Sequence, residues 1–115
     1  MISGGNNAII VAPDYNKPKD LDNLVKSCVF AAFGTQGQRC TTLRRLFLPE
    51  EIHDEVLQRV INGGKELCKR IGDPMEATTL YGPMHNQMGI DIYNKTIKAA
   101  KGQHCNCSLH IVTKV

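Results

Sequence analysis

The sequence predicts an α/β fold: an open, mostly parallel sheet with packed helices, forming one domain or part of one. Three observations lead there. Short apolar runs with β-branched residues alternate with segments of helical periodicity in the order strand, helix, strand, helix, helix, and that order places crossover helices on a parallel sheet. The 115 residues can enclose one modest core but not separate cofactor and substrate domains. Apolar residues make up 42% and charged residues 22%, a globular rather than a disordered composition.

Asn7 to Ala12 is a continuous apolar run between Gly4-Gly5 and Pro13-Asp14, and predicts a buried strand. Pro13 to Lys19 reads as a loop. Asp20 is the expected N-cap of the first helix, in which Leu21, Leu24, Val25, Cys28, Val29 and Ala32 recur at helical spacing until Gly34 stops the pattern. Gly34 to Arg39 forms a tight glycine-bearing loop that delivers Cys40, and Thr42 to Leu48 has the composition of a second strand. After Pro49, Ile52, Val56, Val60 and Ile61 mark one face of a second helix. Gly63-Gly64 is expected to interrupt it, at roughly 1 kcal/mol per glycine relative to alanine. A turn region from Gly72 to Pro83 leads into a third helix from about His85 to Lys101, ended by Gly102.

The net charge of +3 is mild and its basic residues are interspersed with acids, as in Lys65, Glu66, Lys69 and Arg70, so nucleic acid is not an expected partner. No apolar run approaches the roughly 18 residues of a membrane span, and Met1 to Asn7 lacks the pattern of a signal peptide. Five cysteines, at positions 28, 40, 68, 105 and 107, are an odd number and fit reduced thiols better than a disulfide framework. The expected setting is cytoplasmic, or mitochondrial if a targeting segment lies upstream. His104, Cys105, Cys107 and His110 cluster near the end, but C-x-C with one histidine on each side does not match common closed zinc sites, and no metal is expected.

Cys40 combines a glycine loop, a flanking cation in Arg39 and small hydroxyl neighbours in Thr41 and Thr42. A nearby cation favours the thiolate, which is the attacking species. The residues alone leave a second reading open, in which Cys40 is a small buried hydrophobe. Arg39 likewise either shapes a pocket or pairs with a local acid.

The string FGTQGQRCTT, Phe33 to Thr42, resembles the nucleophile loop of the aldehyde dehydrogenase superfamily. SGGNNAII, Ser3 to Ile10, resembles the segment that ends that family's nucleotide-binding domain. The likeness continues through VFAAFGTQGQRCTTLRRLF, EIHDEVLQRV and LYGPMHNQ, and looks most like the antiquitin branch, which oxidises α-aminoadipic semialdehyde.

The resemblance implies that residues 1–6 end the nucleotide-binding motif, that 7–101 form the N-terminal part of the catalytic domain, and that 102–115 are a divergent tail. It implies Cys40 as the nucleophile, Ser3 and Gly4 near the nicotinamide of NAD, and Arg39 and Thr41 around an aldehyde bearing a carboxylate, since the arginine fork binds carboxylates bidentately. It further implies a homotetrameric parent enzyme. Two departures accompany these matches. The position of the family's general-base glutamate is Ile2, which cannot accept a proton. The dinucleotide-gripping glycines and lysine, the later ribose-contacting motif and the oligomerisation arm have no counterpart in the sequence, so it is expected to be an internal piece that does not turn over alone.

Overall fold

The computed structural model describes residues 5–15, 17 and 19–102. Two strands, β1 (Asn7–Ile10) and β2 (Leu43–Phe47), lie parallel and are joined by helix α1 (Lys19–Phe33) and a short 3-10 segment, Gly34–Gly37. Helices α2 (Glu50–Cys68) and α3 (Gln87–Gly102) follow, which is the predicted order within a partial α/β domain. Asn7 is opposite Leu43 and Ile10 opposite Phe47, with a register irregularity after Asn7. The ladder continues one residue further, where the Val11 N–H donates to the Phe47 carbonyl at 3.0 Å.

The core lies between α1, α2 and the end of the sheet. Leu21, Ile52 and Val56 are buried, and Val11, Tyr15, Leu24, Val25, Leu46, Leu48 and Val60 pack around them. Each fully buried aliphatic side chain contributes about 1.5–3 kcal/mol relative to exposure. Acidic residues begin both helices, Asp20 and Asp22 in α1 and Glu50 and Glu51 in α2, where they face the positive end of the helix dipole. Arg59 of α2 bridges Asp22 on α1 and Glu55 on its own helix, the latter at 3.3 Å.

Four expectations are corrected. Asp20 lies inside the first turn of α1 instead of preceding it. Helix α2 runs unbroken through Gly63-Gly64. A Cβ on Gly63 would come within 2.7 Å of Val29 Cγ2 on α1, so the glycine marks a close helix crossing and packing outweighs propensity. Helix α3 begins at Gln87 because the Asn86 carboxamide oxygen accepts from the Gly89 N–H at 2.9 Å, in the geometry of an N-cap, and Gly102 is its last residue. Strand β1 is not buried: Ile10 is 77% exposed, because the sheet has two strands among the described residues and one of its faces is uncovered.

Candidate active site

Cys40 stands in a turn between α1 and β2 and is exposed, which removes the reading of a buried structural thiol. That description fits Cys28 instead, which is fully buried on α1 and whose thiol is pushed above its ordinary pKa by desolvation. Cys68 is half-buried and donates to the Gly64 carbonyl at 3.2 Å.

Three residues fix the turn that carries Cys40. Asn7, at the start of β1, donates from Nδ2 to the Cys40 carbonyl at 2.6 Å, and the Gly5 N–H reaches the same oxygen at 3.3 Å. Buried Thr42 closes the turn from the other side: its Oγ1 accepts from the Arg39 N–H at 3.2 Å and its own N–H donates to the Arg39 carbonyl at 3.2 Å. The Cys40 backbone is thereby anchored while its side chain is open to solvent. Thr41 is exposed beside it.

Arg39 takes neither a neighbouring acid nor open solvent. Its Nη2 donates to the Phe30 carbonyl at 2.9 Å, in the last turn of α1. The guanidinium lies 4.7 Å from the centroid of the Phe30 ring, and its Nε is buried without a hydrogen-bond partner. Gly34 makes this path possible, since a Cβ there would come within 2.1 Å of Nη2.

The loop before Cys40 is wound left-handed. Thr35, Gln36 and Gly37 have φ of 51°, 57° and 69°. Only glycine takes this conformation freely, and other residues lose roughly 1–2 kcal/mol each. Local bonds support it: Thr35 Oγ1 donates to the Gly34 carbonyl at 2.7 Å and the Gln38 N–H to the Thr35 carbonyl at 3.0 Å. Behind the loop is a cavity of about 260 Å³, lined in part by Phe33, Gln36, Thr42, Leu67, Tyr81 and Tyr93. Cys40 does not line it.

The βαβ unit of the described residues does not fit the pyrophosphate of a dinucleotide. The connection from Ile10 to Lys19 contains no glycine, and Asp20 and Asp22 put negative charge where a phosphate would approach the helix. Ser3, Gly4 and Ile2 lie outside the described residues, as do His104, Cys105, Cys107 and His110. Among the described residues no three His, Cys, Asp or Glu side chains are grouped to hold a metal, and no helix is long and apolar enough to cross a membrane.

Sequence reasoning found the exposed thiol and its loop but missed Asn7, Thr42 and Gln36 as its supports. Asn7 carried a signal, a polar amide opening an apolar strand, which needs a partner wherever the strand packs.

The aldehyde dehydrogenase family profile matches residues 1–112, and the chain belongs to that family. It is similar to α-aminoadipic semialdehyde dehydrogenase of Rattus norvegicus, 46% identical over 98 residues that cover 85% of this chain and 17% of the relative. Aldehyde dehydrogenase family 7 member A1 of Brassica napus is 44% identical over 86% of this chain and 19% of its own length. The chain thus spans less than a fifth of the curated relatives it matches. Among solved structures, aldehyde dehydrogenase C of Pseudomonas syringae, in complex with NAD+ and octanal, superposes with a TM-score of 0.82 at 25% identity, covering 97% of this chain and 22% of that one. Proline utilization A of Bdellovibrio bacteriovorus gives 0.75 at 29% identity, covering 88% and 10%.

Proposed function

We propose that this chain carries the nucleophile segment of an NAD-dependent aldehyde dehydrogenase, with Cys40 as the attacking thiol and a semialdehyde such as α-aminoadipic semialdehyde as substrate. The observation that supports it most is the pairing of an exposed Cys40 with a backbone clamped by Asn7 and Thr42, because a nucleophile must be both accessible and held in place.

In this reading the Cys40 thiolate forms a bond to the aldehyde carbon, and the carbonyl oxygen becomes an oxyanion that the Cys40 N–H helps to hold. Loss of hydride from that carbon leaves a thioester. Water then displaces the thiol and releases the carboxylic acid. NAD supplies the hydride acceptor when bound; its dinucleotide grip belongs to parts of the protein beyond the described residues, with Ser3 and Gly4 as this chain's contribution. Thr41, exposed beside Cys40, borders the substrate; Arg39 would reach a substrate carboxylate only by leaving the Phe30 carbonyl and ring. The parent enzyme is a homotetramer in this reading, and this chain by itself gives no NAD reduction with aldehydes.

Alkylation tests the nucleophile. Near neutral pH, limiting iodoacetamide followed by peptide mass mapping should label Cys40 first and Cys28 last. Labelling of Cys28 or Cys68 ahead of Cys40 in the folded chain would exclude Cys40 as the activated thiol.

A second reading is favoured by the uncovered apolar surface of Ile10 and Phe47 on the sheet: the chain acts as a non-catalytic module that binds full-length subunits. Size-exclusion chromatography with and without the parent enzyme separates the two. Co-elution with the parent supports the module, and a folded monomer that ignores the parent removes it.

A further inference from the structure

Gln36 is the one left-handed residue of the loop whose side chain leaves the segment. Its Nε2 donates to the Gly82 carbonyl at 2.7 Å, across 46 positions of sequence. Gly82 offers a rigid anchor, because the loop that contains it is closed on itself. The Leu80 and Tyr81 N–H groups both reach the Arg70 carbonyl, at 2.8 and 3.3 Å, and the Gly72 N–H donates to the Tyr81 carbonyl at 3.1 Å. Asp73 Oδ1 further binds the Met75 N–H at 2.9 Å.

A left-handed backbone is intrinsically unfavourable for Thr35 and Gln36, and helix α1 ends at Phe33, two residues before Thr35. The local Thr35 and Gln38 bonds hold the segment only from within, so loss of the Gln36 contact would free it to relax towards the right-handed conformation of that helix and turn the following residues with it. Cys40 is four residues on, and the turn between is stiffened by the Arg39–Thr42 pair. A donor fixed to Gly82 therefore sets where the thiol points.

We propose that Gln36 is a positioning residue for Cys40, acting as a tether that holds the left-handed loop against the 70–82 loop through one donated hydrogen bond. The inference rests on the reading of Cys40 as nucleophile for its functional meaning, but the tether has its own physical signature. Both loops should loosen together when the donor is removed.

The test uses the full chain and three variants: Gln36→Met, which keeps bulk without a donor; Gln36→Glu, nearly the same shape but only accepting at neutral pH; and Gln36→Lys, which restores a donor. Hydrogen exchange reads the two loops, and the ratio of Cys40 to Cys68 alkylation reads the thiol. In Gln36→Met, exchange in both 35–39 and 80–82 should rise about fivefold, the factor matching one net hydrogen bond of roughly 1 kcal/mol, with a comparable fall in the alkylation ratio. Gln36→Glu should exceed this, since two oxygens then face the Gly82 carbonyl, and Gln36→Lys should recover towards the parent. Cys28, fully buried, must stay unlabelled as the internal sign that each variant is folded. Exchange and labelling in folded Gln36→Glu that match the parent would overturn the tether, because shape alone would then suffice; so would loosening confined to 35–39. Failure of Cys40 to lead labelling in the parent chain would instead count against the nucleophile reading and leave the exchange result to judge the tether.

Discussion

Cys28 and Cys40 are the same side chain put to opposite ends by position. Twelve residues apart in sequence, one is enclosed on the inner face of α1 and the other is held open by a clamped turn. Burial pushes the Cys28 thiol above its ordinary value of 9.0. Folding therefore favours the protonated form: its contribution to stability is complete below the unfolded value and declines as pH rises through it towards the folded one. Urea unfolding between about pH 7 and pH 11 should show a stability loss with rising pH that is smaller in Cys28→Ala. An equal decline in both proteins would assign the alkaline sensitivity to other groups. Of the site, the sequence makes Cys40 and its loop legible through their local pattern. The supports are less so, because Asn7 and Gln36 act on partners 33 and 46 positions away.

At the scale of elements, helical periodicity identifies α1 and α2 well, and the glycine pair in α2 shows where local reasoning stops. Propensity treats Gly63 as a breaker, yet its missing Cβ lets α2 approach Val29. Gly63→Ala improves helix propensity but forces a methyl against the stiff branched Val29, and should lower stability by about 1–3 kcal/mol in denaturant titration. Adding Val29→Ala should recover part of that loss, beyond what the two single changes predict by addition. If Gly63→Ala is neutral or stabilising alone, the crossing is not a tight contact. The N-cap of α3 follows the same logic at shorter range: Asn86→Ala should remove about 0.5–2 kcal/mol from that helix, read by its loss of ellipticity.

Over the whole molecule, stability is unevenly distributed. The α1–α2 pair and β2 share the Leu21, Ile52 and Val56 core, whereas α3 buries Ile90 and lies across the cavity at Tyr93. Native-state hydrogen exchange should accordingly protect the middle of α2 more than the middle of α3, by a factor of about ten or more. Equal protection would mean one cooperative unit. Exposed Met88 and Ile92 on α3, with Ile10 and Phe47 on the sheet, leave apolar surface that the described residues do not cover.

By itself the sequence determined the α/β class, the order of elements, the family and the thiol on its loop, all of which are written in local periodicity or in contiguous motifs. Only the tertiary structure decided that β1 is exposed, that α2 passes through its glycines, that Arg39 turns to the end of α1, and that Gln36 reaches Gly82. Each of these depends on what lies on the far side of a side chain: an uncovered sheet face, a neighbouring helix, a carbonyl at a helix end, a closed loop. Burial and hydrogen-bond partners are properties of distance in space, and residues far apart along the chain carry no local pattern that reports it.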